Sequence, residues 1–441
     1  MLSQLMFWGT QFGGYYLAFA RYPVFVFVVY QSIYFFNPSK RWWGYAIPDL
    51  SYSYYSVVLM AFIVFINWKK TSQNKLFEAP PTKWVYLFLF VHLTAYSYAV
   101  LPIRHDIFFI YFLKLVVIIS IAYKLISNIK DLHIAIMGYV FGAWYLSFYT
   151  YQVGRNSGDR VEGIGTVDAQ DSNGVAAALA PAIIFGIYYL WRSPDWKLKG
   201  VALIALAFTC NALVLINSRG AVLGVVLGAG YFMYHLYKSR IKTRNQKATV
   251  VFLCLVGLAG VSVVVDDTFM ERFSSLQEET AGVNKEGESG STRILYWEAA
   301  YRLALDYPFG TGIYGFNYHA VNYIDANSHV GRKLRNSGGF KSVHSSWFST
   351  LAEVGFIGLF LLIAIIVSCF RALKKCKTGL LERKSAQDYY LIIAIEGALI
   401  TYMVAMTFLD RHRAEILYWL ILFSMCAYNI YVKKISEIEQ Q

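Results

Sequence analysis

Apolar runs long enough to cross a bilayer recur along nearly the whole chain, and this constrains the fold more than any other feature. A helix needs roughly 20 apolar residues to span the hydrocarbon. Runs of about that length lie near residues 5–20, 22–36, 52–68, 84–100, 107–127, 132–151, 175–191, 199–217, 219–237, 248–265, 347–370, 388–409 and 414–432. They lack the alternation of a membrane barrel. With 57% hydrophobic and 15% charged residues among 441, the chain has more apolar surface than an aqueous core can hide. The pattern predicts an all-α polytopic membrane protein with about 12 transmembrane helices. Residues 1–265 supply helices joined by short loops, 266–346 one large loop, and 347–441 the last helices and a tail. The N-terminal stretch MLSQLMFWGTQFGG has no basic leader and reads as a retained membrane segment.

The formal charge of +13 does not call for a nucleic-acid partner, because the Lys and Arg residues sit mostly in short loops, where the positive-inside rule expects them. The strongest cytoplasmic candidates are KSRIKTRNQK at 238–247, RALKKCKTGLLERK at 371–384, and Lys69–Lys83. Asn128–Asp131, Arg192–Lys199 and the tail KKISEIEQQ join that side. The opposite face then receives Asn37–Ser51, Leu101–Asp106, Gln152–Asn173, the turn Asn217-Ser218-Arg219-Gly220, Asp266–Ser346 and Asp410–Arg413. Lys40 and Arg41 fall there against the rule. The five cysteines form no CxxC pair, so neither a disulfide framework nor a zinc site is expected.

The large loop opens acidic and Gly-rich (QEETAGVNKEGESGS), which reads as flexible. It continues as an amphipathic helix near Arg293–Leu305, ended by Pro308 and Gly310. At its end, His344 precedes a long apolar helix starting near Trp347. Ser345 or Ser346 is placed to cap that helix, which would set the imidazole at a positive dipole end and favour its neutral, proton-accepting form. Taken alone, a His that only satisfies loop hydrogen bonds explains the pattern as well.

Arg219 interrupts an apolar stretch running from Val201 to Tyr237. A permanent charge this near hydrocarbon needs a partner or a task. An anionic headgroup is one such task, and holding a helical hairpin in register by snorkelling is another. Arg160 lies in GDRVEGIGTVDAQDSNG and Arg293 opens the loop helix; each, read singly, fits a solvated charge. All three fall on the His344 face by topology, and guanidinium groups that converge there suit a diphosphate. Glu353, about two turns into the helix after His344, joins this set as a substrate-side candidate, with a paired structural role the simpler reading. Asp410 to Arg413 form a short charged turn on the same face. Asp168 and Asp171 fit turn-shaping and helix-capping better than metal binding. No Walker loop, HExxH, GxSxG or DxD motif is present, so neither a metal nor a cofactor is expected.

Four blocks resemble the O-antigen ligase and O-antigen polymerase superfamily. VHSSWFSTLAEVGFIGLF is similar to its His-containing signature, NSRGAVLGVVLG to its Ser-Arg-Gly turn, and STRILYWEAAYRLALDYPFGTGIYGF to its Arg, Trp, then Gly-x-Gly stretch. RVEGIGTVDAQDSNGVAAALAP resembles the upstream Arg-to-Asn block. Nearer the N-terminus, FFNPSKRWWGYAIP is similar to a motif of the exosortase-associated O-glycosylation ligases. The resemblance implies a GT-C-like membrane glycosyltransferase of the bacterial inner membrane. Such an enzyme moves a glycan from undecaprenyl diphosphate to a lipid, glycan or protein acceptor on the periplasmic face, without a metal. It further implies His344 as general base or acceptor-orienting group, and Arg160, Arg219 and Arg293 as diphosphate ligands, Arg219 and Arg293 acting also in catalysis. A polymerase joining lipid-linked repeats, and a glycolipid transporter or flippase without chemistry, stand as alternatives.

Overall fold

A computed structural model describes residues 2–193, 195–239, 241, 246–264 and 290–433. Among these the chain is helical, with no strand and one isolated bridge between Ser157 and Arg160. Among the described residues eight helices are long and apolar enough to cross a membrane: Pro102–Leu125, Ile129–Val153, Ser172–Arg192, Trp196–Ile216, Arg219–Lys238, Ser346–Glu382, Ala386–Met406 and Glu415–Lys433. The chain is thus a multi-pass membrane protein. The expected number of about 12 is larger. The difference falls on Leu2–Ala20, Phe25–Phe36, Tyr52–Ile66, Pro80–Thr94 and Gln246–Val264, which are helical but shorter or less apolar. The acidic opening of the large loop, Asp266-Asp267, half of the 238–247 basic loop and the tail beyond 433 lie outside the described residues.

Ser172–Arg192, Ala386–Met406 and Glu415–Lys433 are almost wholly buried and form the centre of the bundle, whereas Arg219–Lys238 is mostly exposed on its flank. That flank helix lies close to Ala386–Met406 because Gly224 and Gly228 face Thr401, where any Cβ would collide with backbone or hydroxyl. Small residues commonly let membrane helices approach in this way.

Loops gather at two ends. At one end, Asn37 Nδ2 donates to the Gly165 carbonyl at 3.0 Å, the Val100 N–H to Thr311 at 3.0 Å, and the Ser345 N–H to Asp410 at 2.9 Å. At the other, Asn429 meets Asn74 at 3.0 Å and Tyr188 donates to the Gln387 carbonyl at 3.3 Å. This partition matches the two sets of loops separated by charge and span counting.

Arg41, the exception to the charge rule, is not a solvated loop residue. It is buried, donates to the Phe35, Phe36 and Gly165 carbonyls, and lies over the Tyr149 ring at 4.6 Å. Such a charge does work inside the fold, so the statistics of solvated loops do not govern it.

The helix after His344 runs from Ser346 to Glu382 but is broken at Val354 and Gly355, where the backbone leaves helical geometry. Gly355 has φ +68°, and a Cβ there would overlap the Pro308 carbonyl. The Phe356 N–H donates to that same carbonyl at 3.1 Å. The break therefore leaves a two-turn stub, Ser346 to Glu353, pinned against the 308–312 loop. Thr311 and Gly312 donate to the Ala352 and Glu353 carbonyls, each at 2.9 Å.

Candidate functional site

The helix expected at Arg293–Leu305 is present as Gly290–Asp306. Tyr296, Ala299, Ala300 and Leu303 form its buried stripe, but Ile294, Tyr301 and Leu305 are exposed, so it is apolar on two sides and not cleanly amphipathic. Its Tyr296 ring lies 6.4 Å from the His344 ring, and its Trp297 ring lies 6.3 Å from that of Phe408. This packing brings Arg293, one turn away, into the electrostatic surroundings of His344.

His344 is half-buried and adopts a left-handed backbone, φ +56°. A β-carbon residue in that region is strained and persists only where its surroundings fix it. Asp410 does the fixing, accepting the Ser345 N–H at 2.9 Å and the His344 N–H at 3.3 Å. Neither serine caps the helix with its side chain. Ser346 Oγ instead donates to the Leu409 carbonyl at 2.6 Å and accepts the Arg411 N–H at 2.7 Å. Burial pushes the His344 imidazole down to about 4, with Lys341 and Arg293 acting in the same direction and Asp171 against it. The ring is therefore neutral over the physiological range, as expected, though burial leads over the helix dipole as the cause. Burial also pushes the Asp410 carboxyl up to about 7, against the pull of its two N–H donors.

Arg160 lies in a tight turn whose Arg160 N–H and carbonyl both bond to Ser157. Its Nη2 donates to Asn173 Oδ1 at 3.2 Å and reaches the Asn217 carbonyl at 3.5 Å. Asn217, left-handed at φ 58°, ends one helix, and Arg219 begins the next after a single residue. The two arginines thus meet at one hairpin, and Gly220 of that hairpin faces Phe408. Asp171 caps the helix Ser172–Arg192 through the Gly174 N–H at 2.8 Å, as its position suggested.

The residue that sequence reasoning left unassigned is Arg411. Its guanidinium donates to the Asp168 carbonyl and pairs with Asp171 at 2.5 Å. Asp168 in turn accepts Tyr34 Oη at 2.6 Å and the Glu415 N–H at 2.8 Å. The turn 407–414 is thereby the hub on which the Arg160 loop, the Arg219 hairpin, the Arg293 helix and the His344 loop all pack. Its only sequence signal is four consecutive titratable residues, Asp410 to Arg413, between apolar helices.

A Cβ at Gly174 would overlap the Arg411 guanidinium. Gly174→Ala is expected to lower the melting temperature even though alanine favours a helix by about 0.5–1 kcal/mol, because Arg411 loses its hold on Asp171. A raised melting temperature would place Arg411 elsewhere.

Glu353 is buried and paired, which agrees with the simpler reading of it. Its carboxylate takes Arg413 through both Nη atoms, lies 3.3 Å from His412 Nε2 and accepts the Tyr314 N–H at 3.2 Å. Tyr314 is itself left-handed, φ 65°. His92, Glu353 and His412 bring ligand atoms within 4.8 Å of one another, a donor set that suits a divalent ion. The Arg413 guanidinium lies among the same atoms, 2.6 Å from His412 and 3.5 Å from His92. It supplies the positive charge there. Burial first, then Arg413, keeps His412 neutral, near about 4.

No curated protein matches the chain. The family model described as O-antigen ligase matches residues 203–363, a segment that carries Arg219, Arg293, His344 and Glu353 and leaves out Arg160 and the 407–414 hub. Over that segment, rather more than a third of the chain, the protein is similar to O-antigen ligases, which supports a place in the O-antigen ligase superfamily.

Proposed function

We propose that the protein is a glycan ligase that transfers a saccharide from undecaprenyl diphosphate to an acceptor hydroxyl on the periplasmic face of the inner membrane. The observation that carries this reading is the packing of four separate segments, bearing Arg160, Arg219, Arg293 and a neutral His344, on one charged turn. His344 takes the proton of the acceptor hydroxyl as its oxygen bonds to the anomeric carbon. The bond from that carbon to the phosphate oxygen breaks, and undecaprenyl diphosphate departs with the electron pair. Negative charge builds on the diphosphate in this step, so fixed cations favour the transition state over the bound donor. Arginine suits the task because it does not deprotonate. Arg219 adds a guanidinium to the N-terminus of its own helix, where the dipole also favours an anion. Glu353 serves this site from behind, by holding Arg413 and the strained Tyr314.

Purified protein in vesicles, given a lipid-linked saccharide and an acceptor, is expected to yield one capped acceptor. A ladder of repeats would make it a polymerase. Movement of the lipid-linked sugar across the bilayer with no new glycosidic bond would reject the enzyme reading.

A further inference from the structure

At the end of the bundle opposite His344, helices Leu2–Ala20, Phe25–Phe36 and Ile129–Val153, together with Tyr188, Tyr189, Leu198 and Gln387, line a cavity of about 620 Å³ that is open to the outside. Its walls are apolar and include Gly9, Gly13, Val29 and Phe141, and its size is that of a ligand site, about 300–1,000 Å³. Added Cβ atoms at Gly9 and Gly13 would meet nothing within 4 Å, so these glycines leave open space and not a packed contact. One rim is basic. Lys130 Nζ lies 2.5 Å from Tyr22 Oη and 4.5 Å from that ring's centre, and Arg21 lies 5.3 Å from the same centre. Both cations are exposed. The carboxylates of the flanking turns are engaged elsewhere. Asp131 accepts from Ser127 and Asn128, and Asp195 caps its own helix through Lys197 N–H.

We propose that this cavity is a binding site for an anionic diacyl phospholipid, with an acyl chain along the Gly9 and Gly13 face and the phosphate between Arg21 and Lys130. The arrangement joins an apolar slot to a cationic mouth at the level of the headgroups, which is how basic pockets between membrane helices select acidic lipids. Nothing in the site's chemistry requires glycan transfer, so this proposal stands or falls apart from the one above.

Native mass spectrometry of the full chain, released from vesicles of phosphatidylglycerol, phosphatidylcholine and polyprenyl phosphate in equal parts, tests it. One phosphatidylglycerol per chain is expected to remain, roughly tenfold in excess of phosphatidylcholine. Arg21→Ala with Lys130→Ala should erase that preference. Gly13→Phe, or Gly9→Leu where the first lowers helical content, should remove the lipid by filling the slot. Equal retention of the two phospholipids, preferred retention of polyprenyl phosphate, or undiminished phosphatidylglycerol in a folded slot-filling variant would each overturn the assignment.

Discussion

Replacing His344 with alanine is expected to reduce glycan transfer by about 10²–10⁴, the usual contribution of a positioned general base, while the protein stays folded and keeps its donor lipid. The backbone contacts that set this loop run from the His344 and Ser345 N–H groups to Asp410, and alanine retains both of them. What alanine loses is a neutral imidazole near Arg293 and Lys341. The dependence on pH carries the same signature. With the imidazole pushed down to about 4, the acid limb of kcat/KM, which reports the free enzyme, should fall near pH 4 and not near 6.5. Above that limb the ring is deprotonated and competent, and below it protonation removes the base. An acid limb near 6.5 would mean that the imidazole titrates unshifted, and transfer by His344→Ala at the wild-type rate would remove His344 from the chemistry.

The membrane class was legible because it rests on properties that run with the chain: apolar length, loop charge and span parity. Three features were not, and each depends on distance through space. Arg411 meets Asp168 and Asp171 across some 240 residues, and no local pattern distinguishes it from Arg413 two positions on. The break at Gly355 is invisible in an apolar run, because glycine is tolerated in membrane helices and only the approach of Pro308 shows why it is needed. Arg41 looked like a breach of the charge rule because sequence counts a buried guanidinium and a solvated one alike. Capping by Ser346 failed for a related reason. Its hydroxyl is taken by the Leu409 carbonyl and the Arg411 N–H, some 65 residues away.

Breaking the Glu353–Arg413 pair is expected to cause the largest loss of stability of any single change in the site. Both side chains are largely withdrawn from water, at 6% and 16% exposure, and a buried pair that loses one partner typically costs about 3–5 kcal/mol because the remaining charge stays unsolvated. Arg413→Met should therefore lower the melting temperature of the detergent-solubilised chain steeply, and Glu353→Gln nearly as much, since the amide retains shape and one acceptor but not the countercharge. The double change should cost less than the sum of the two, because it strands no charge, with a coupling of about 0.5–3 kcal/mol between neighbours. Additive losses, or single variants as stable as wild type, would mean that the charges are solvated. Glu353 closes the two-turn stub that starts beside His344, and it holds the strained Tyr314. A folded Glu353→Gln protein should thus lose transfer by displacing His344, with kcat falling more than KM rises. A donor contact by Glu353 itself would show the reverse.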